Sequence, residues 1–193
     1  QRKKNRLIKN ITSRLGLIII MVLFSSSTLN GDELILENFD KGSENRWNFF
    51  SDQVMGGIST GKLYFQKEGE LNFINLVGDV STKNQGGFIQ ARSKLAETIK
   101  KDIEGIVINA KGNNTTYYIH LRTTGTLLPW QYYQAEFSVT SNWREIKIPL
   151  MSFKRSGSFL RKKVKPASIT SIGLVAYGRD HKANLSVASI RFY

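Results

Sequence analysis

From residue 33 onward, apolar side chains recur at every second position. Leu63 and Phe65, Leu71 and Phe73, and Ile106, Ile108 and Ala110 follow this rule. So do Tyr117, Ile119 and Leu121; Tyr133, Ala135, Phe137 and Val139; Ile146 and Ile148; and Leu185 and Val187. A period of two sends alternate side chains to opposite faces of a strand, so each run predicts a half-buried β-strand. Turn-forming clusters separate the runs: Lys67-Glu68-Gly69, Gln85-Gly86-Gly87, Gly112-Asn113-Asn114 and Ser156-Gly157-Ser158. The one helix candidate, Lys94 to Lys101, is too short to build a layer. Roughly ten short strands with regularly spaced turns predict an all-β fold, an antiparallel β-sandwich or jelly roll. No repeat, low-complexity tract or linker divides residues 32–193, which read as a single sandwich domain.

The pattern is different over residues 1–31. Arg2, Lys3, Lys4, Arg6, Lys9 and Arg14 precede an uncharged run from Leu15 to Phe24, and Ser25-Ser26-Ser27 follows. A basic region, a short apolar run and a small-residue exit match a signal peptide. The apolar run is about half the ~20 residues a membrane-spanning helix needs. The expectation is an exported protein, periplasmic or membrane-associated. A mitochondrial presequence is the alternative, because acids are absent and Leu7, Ile11 and Leu15 lie at helical spacing.

Composition refines this picture at two points. The 193-residue chain has no cysteine, which excludes disulfides, thiol catalysis and cysteine-based zinc sites. Its formal net charge is +13, but six of the basic residues fall within residues 1–31, so close to half the excess sits there.

The densest run of special residues is Arg46-Trp47-Asn48-Phe49-Phe50-Ser51-Asp52-Gln53-Val54-Met55-Gly56-Gly57-Ile58-Ser59-Thr60-Gly61. Its three glycines call for a backbone that turns where side chains do not fit. Trp47, Phe49, Phe50, Val54, Met55 and Ile58 predict that the turn folds onto a core. Asp52 within it fits two roles, an acceptor for backbone N–H groups or a ligand contact.

This stretch, with Trp47, Ser51, Asp52, Val54, Met55, Gly56, Gly57, Ser59 and Gly61, resembles the signature of the thirty-kilodalton complex I intermediate-associated protein family. Two later segments resemble its other motifs in order: Gly86-Gly87-Phe88-Ile89-Gln90-Ala91-Arg92, then Tyr133-Gln134-Ala135-Glu136-Phe137 with Trp143 beyond it. The resemblance spans about residues 34–193. It implies a galactose-binding-like jelly roll similar to carbohydrate-binding modules, and a role in assembling respiratory complex I without catalysis. Gly112-Asn113-Asn114-Thr115 departs from the family's acidic turn at that place, so any role of that acid is in doubt here.

Enzyme templates find no match. His120 and His181 have no partner at metal-ligand spacing, and no nucleophile elbow, phosphate-binding loop or dinucleotide fingerprint is present. The expectation is a protein without catalysis, cofactor or metal; the alternative, a glycan-active enzyme, needs two carboxylates distant in sequence to converge in one cleft. Two surfaces are candidates for binding. If Tyr117, Ile119 and Leu121 face the core, then Tyr118, His120 and Arg122 face outward, joined by Tyr132, Gln134 and Glu136 on the next strand, with Trp130 at the approach. Such a face suits a sugar ring or a peptide, and it equally suits cross-strand pairs on a solvated surface. The second candidate is a basic loop with no acid: Lys154, Arg155, Arg161, Lys162, Lys163 and Lys165 around an exposed Phe159-Leu160 pair. It fits an anionic membrane surface or an acidic partner, and also a merely solubilising loop. Nucleic acid is not the expected partner, since stacking aromatics are sparse there and export would remove the protein from most of it. The expected partner is a protein, on the family's pattern a respiratory-complex subunit, with a cell-envelope carbohydrate as the alternative.

Overall fold

The structure, a computed structural model, describes residues 34–100 and 102–193. The basic-then-apolar segment within residues 1–31 lies outside them. Two antiparallel sheets of six strands each pack face to face. In the first, β3 (Thr60–Glu68), β4 (Leu71–Val80), β12 (His181–Phe192), β6 (Gly105–Gly112) and β9 (Arg144–Pro149) lie side by side in that order, and β1 (Leu34–Glu37) pairs with the end of β12. In the second the order is β10 (Lys154–Arg155), β8 (Tyr133–Ser138), β7 (Thr116–Thr123), β11 (Ile169–Tyr177), β5 (Phe88–Lys94), β2 (Trp47–Ser51). Aligned sheets of this kind bury their facing side chains and leave the alternate ones outside.

The expected alternation holds across most strands. Ile106, Ile108, Ala110, Tyr117, Ile119, Leu121, Leu185 and Val187 are fully buried between the sheets, and Tyr133, Ala135, Phe137 and Val139 nearly so. On β12 the register shifts between Val187 and Ser189, a bulge that lets both Val187 and Ile190 face inward. On β4 the inward set is Ile74, Leu76 and Val80. Phe73 lies on the outer side instead, its ring edge-on to Trp143 at 5.3 Å and 5.7 Å from the Lys111 ammonium. Phe65, on the edge strand β3, is exposed.

The helix candidate at 94–101 is not formed. Lys94 ends β5, the Leu95 N–H donates to Thr170 O at 2.9 Å, and residues 95–100 run irregularly. Ile99 buries in the core, with Leu95 and Ile103 packed against it, so anchoring contacts prevail over a weak local preference. A buried carboxylate closes this side of the sandwich. Glu37 accepts from Trp47 Nε1 at 2.9 Å, Ser43 Oγ at 3.0 Å, the Phe39 N–H at 2.9 Å and Arg46 Nη2 at 2.8 Å.

Candidate functional site

The glycine-rich turn is built around Asp52, which is fully buried. Its Oδ1 accepts the Ser59 N–H at 2.9 Å, and its Oδ2 accepts the Gly87 N–H at 2.5 Å, the Phe88 N–H at 3.2 Å and the Ser59 hydroxyl. One carboxylate therefore joins two sequence motifs some thirty-five residues apart. A Cβ on Gly57 or on Gly86 would stand inside this carboxyl group, which is why both positions hold glycine. Gly56 closes the short 3-10 turn Asp52–Met55 in the left-handed region, with φ of 88°. Gly61 lies against the Val77 carbonyl, where a Cβ would be 2.6 Å away. Burial works to raise the Asp52 pKa, but the Ser59 hydroxyl and the Gly87, Ser59 and Phe88 N–H groups outweigh it and hold the carboxyl below its ordinary value.

Of the two roles open to Asp52, the geometry provides the first: its oxygens face donors of its own chain. The rest of the turn divides. Trp47 and Ser59 are buried, but Val54, Met55 and Ile58 are exposed, so the apolar residues of the turn do not all fold onto the core. The pinning of Asp52 from within fixes the loop without their help.

The second candidate lies on the outward face of the second sheet. Tyr118, His120, Arg122, Tyr132 and Gln134 come together there, as the alternation predicts. His120 lies parallel to the Tyr132 ring, centroids 4.0 Å apart, and meets Tyr177 edge-on at 6.0 Å. Tyr118 also meets Tyr177 edge-on at 5.9 Å, and burial, with the Tyr177 phenol close by, raises the Tyr132 pKa above its ordinary value. The His120 Nε2 is 3.2 Å from Gln134 Oε1, so the ring N–H belongs on Nε2 and donates to the amide oxygen. Burial pushes the imidazole pKa down to about 4 against the opposing Gln134 bond, so the ring is neutral at pH 7. Arg122 faces the same way but donates to the carbonyls of Thr126, Leu128 and Pro129 at 2.9, 3.0 and 3.3 Å, bracing the following loop.

The face extends further than the sequence predicts. Beyond β7, the strands β11, β5 and β2 add Tyr177, Gln90, Arg92 and Phe50 to it. Arg92 stands opposite Gly173, its guanidinium 4.3 Å from the Phe50 ring centroid. No carboxylate pairs with it among the described residues, and burial followed by the nearby Arg122 charge holds its pKa below the ordinary value. Gln90 and Arg92 alternate with buried Ile89 and Ala91, so their outward direction was legible. Their nearness to Tyr118 was not, because β5 and β7 touch only through β11.

Trp130 does not join this face. It is 66% exposed in the loop after Arg122, and its carbonyl accepts from Ser156 Oγ at 3.0 Å, which ties it to the basic loop. In that loop Lys154, Arg161, Lys162, Lys163 and Lys165 are exposed. Arg155 is half-buried and donates to the carbonyls of Ser158 and Leu160 at 2.7 and 2.6 Å. The exposed Phe-Leu pair is corrected to one residue: Phe159 is outside, and Leu160 packs into the core.

Two clefts lie apart from the outward face of the second sheet and from the basic loop. One of about 320 Å³ adjoins Glu37, Arg46 and Lys94, and another of about 350 Å³ lies on the first sheet's outer face beside Asn75, Lys111 and Ser186. Among the described residues no group of three or more His, Cys, Asp or Glu side chains could hold a metal ion.

The fold has close structural relatives. A family 11 carbohydrate-binding module from Clostridium thermocellum, solved in complex with a β-1,3-1,4-mixed-linked tetrasaccharide, superposes with a TM-score of 0.68 at 16% identity, covering 83% of this chain and 94% of that one. A family 30 module of a Clostridium thermocellum cellulosomal cellulase gives 0.51 at 14% identity over 71% and 90%. The agarase AgWH50C gives 0.55 at 10% identity, with 83% of this chain matching 24% of that one. At such identities the likeness is one of fold, an antiparallel β-sandwich jelly roll. No curated protein matches the chain. The buried Asp52 linking the two glycine motifs lies within residues 37–187, which match the model for Complex I intermediate-associated protein 30 (CIA30), and the chain belongs to that family.

Proposed function

We propose that this protein is a non-catalytic binding protein that recognises a protein partner during assembly of a membrane complex, a respiratory complex I subunit on the family's pattern. The recognition surface is the outward face of the second sheet. The observation that carries the proposal is the composition of that face. Tyr118, Tyr132, Tyr177, His120, Phe50, Arg92, Gln90 and Gln134 are half-buried or nearly buried and adjoin one another. Arg92 lies over a phenyl ring, with no carboxylate partner among the described residues. Tyrosine and arginine enriched over lysine, aspartate and glutamate is the makeup of an interface centre. The neutral, mostly buried His120 gives the surface a rigid ring stack rather than a proton donor or acceptor for catalysis. The family name points to complex I, and export to the periplasm would place the partner's contact there.

One observation supports a second reading, a carbohydrate-binding module. The flat rings and amide groups of this face suit sugar stacking and hydroxyl recognition, and structurally similar modules are named for binding carbohydrate.

Affinity capture from solubilised membranes, alongside a glycan array, tests both. Capture of a membrane-complex subunit that Tyr118→Ala and Arg92→Ala abolish, without competition from sugars, is the expected result. Capture unaffected by both variants would remove the face from the function. Glycan binding lost in the same variants would replace the protein reading by the carbohydrate one.

A further inference from the structure

A separate surface lies where two loops meet at one end of the sandwich, residues 124–131 and 156–165. It carries Phe159, at 96% the most exposed aromatic side chain among the described residues, with Leu127 at 83%, Trp130 at 66% and Leu128 at 43%. Exposed apolar side chains gathered into one patch, rather than scattered singly, mark a site of interaction with a protein or a membrane. These loops are braced. The Ser156 hydroxyl donates to Trp130 O and accepts the Tyr132 N–H, both at 3.0 Å, while the Ser156 N–H donates to Tyr132 O at 2.9 Å. Gln131 Oε1 accepts the N–H groups of Leu127 and Leu128 at 2.9 and 3.0 Å, and Arg122 holds three carbonyls of the same loop. On the other side Arg155 fixes Ser158 and Leu160, Tyr133 donates to Arg161 O at 3.0 Å, and Leu160 and Val164 are buried anchors. The backbone is held from within so that the apolar tips project.

Charge selects what they project into. Exposed Lys154, Arg161, Lys162, Lys163 and Lys165 flank Phe159, and neither 124–132 nor 153–169 contains an acid. The complement of apolar tips ringed by cations is an apolar slab beneath a layer of negative charge. We propose that this end docks on an anionic lipid bilayer, with Leu127, Trp130 and Phe159 entering the interfacial zone and the lysines and arginines held at the headgroups. Indole and phenyl rings favour that zone, and long cationic side chains keep their stems apolar and their heads in the headgroup layer. One such signal alone gives only marginal attachment, and firm attachment takes two together, here apolar insertion and a basic patch. Among the described residues no helix is long and apolar enough to cross a membrane. This surface is distinct from the tyrosine-rich face, and a bound bilayer would leave that face to its own partner.

Co-sedimentation of the full chain with phosphatidylcholine vesicles, with and without phosphatidylglycerol, tests the proposal, together with tryptophan fluorescence. Residues 1–31 hold basic residues of their own, so variants are compared with the parent, and melting temperatures confirm that each folds. Binding should require phosphatidylglycerol and weaken with salt. Replacing Arg161, Lys162 and Lys163 by Ser should weaken it about a hundredfold, at about fivefold per charge. Phe159→Ser should also weaken it, and the parent's emission should shift to the blue on vesicles while Trp130→Phe shows no such shift. Equal binding to neutral vesicles overturns the proposal, as does indifference to the triple substitution. Binding that keeps its strength in Phe159→Ser and gives no blue shift also overturns it. So does polyglutamate binding as tight as vesicle binding, which would assign the patch to an acidic protein.

Discussion

The glycine-rich turn and the tyrosine-rich face differ in where their polar groups point. In the turn every donor and acceptor of note is satisfied internally: Asp52 faces Ser59, Gly87 and Phe88, and the Ser59 hydroxyl also accepts the Ser81 N–H at 2.9 Å. On the outward face of the second sheet Arg92 lies over Phe50, with no carboxylate beside it among the described residues. The turn is the most conspicuous segment of the sequence because its backbone geometry tolerates few residues. The face is inconspicuous because almost any side chain can stand on a strand. Conspicuous spacing here marks the constraint of folding, and polar groups turned outward mark the surface free to bind.

The comparison breaks most easily at its buried half. Gly57→Val or Gly86→Val should cost about 4 kcal/mol or more, because the new side chain drives a buried carboxylate off its donors and leaves it unpaired. Chemical denaturation measures this, and a parent-like midpoint would show that the turn tolerates what its geometry forbids. Asp52→Asn should come next, at about 3 kcal/mol, since an amide can neither keep the charge nor accept at both ends. The two regions also titrate separately. The folded pKa of Asp52 lies below 3.8, so its stabilisation is present above that unfolded value and is lost as pH falls through the folded one. His120 works in a higher window. Its folded pKa of about 4 lies below the unfolded 6.5, so the unfolded chain binds the extra proton between them, and stability falls as pH drops from 6.5 toward 4. The loss over that window should reach about 2–3 kcal/mol and vanish in His120→Phe, whereas Asp52→Asn should flatten only the change below pH 4.

Much of this division was legible in the sequence. Period two identified the sandwich and sent Tyr118, His120 and Arg122 outward, because β7 alternates cleanly between apolar and polar. It failed on β4, where Leu71, Phe73, Ile74 and Leu76 are apolar at both parities and only the packing of Trp143 and Lys111 over Phe73 decides which faces out. It failed again for the helix candidate, whose Leu95 and Ile99 suit a helical stripe as well as an irregular segment buried at the same points. The second half of the recognition face was hidden for a topological reason. Phe50, Gln90, Arg92 and Tyr177 come from strands whose adjacency depends on long-range pairing across β11. Trp130 was misplaced likewise, since its tie to Ser156 spans twenty-six residues.

The smallest effect gives the sharpest test, because it separates the two exposed surfaces that flank this division. Met55, on the outer side of the glycine turn, is 67% exposed and meets none of the groups that hold the turn together. Met55→Ser should therefore change stability by less than about 0.5 kcal/mol. Tyr118→Ala removes an edge-on contact with Tyr177 and a cross-strand neighbour, a loss of roughly 0.2–1 kcal/mol. By stability alone the two are nearly indistinguishable. Partner capture should tell them apart: truncating an aromatic at an interface centre costs at least about 2 kcal/mol of affinity when it is an anchor, some thirtyfold, while Met55→Ser leaves capture unchanged. Loss of capture in Met55→Ser with Tyr118→Ala unaffected would invert the assignment. The rigid turn would then be the presenting surface, with Asp52 pinning it from behind, and the tyrosine-rich face would be only the outer side of a sheet.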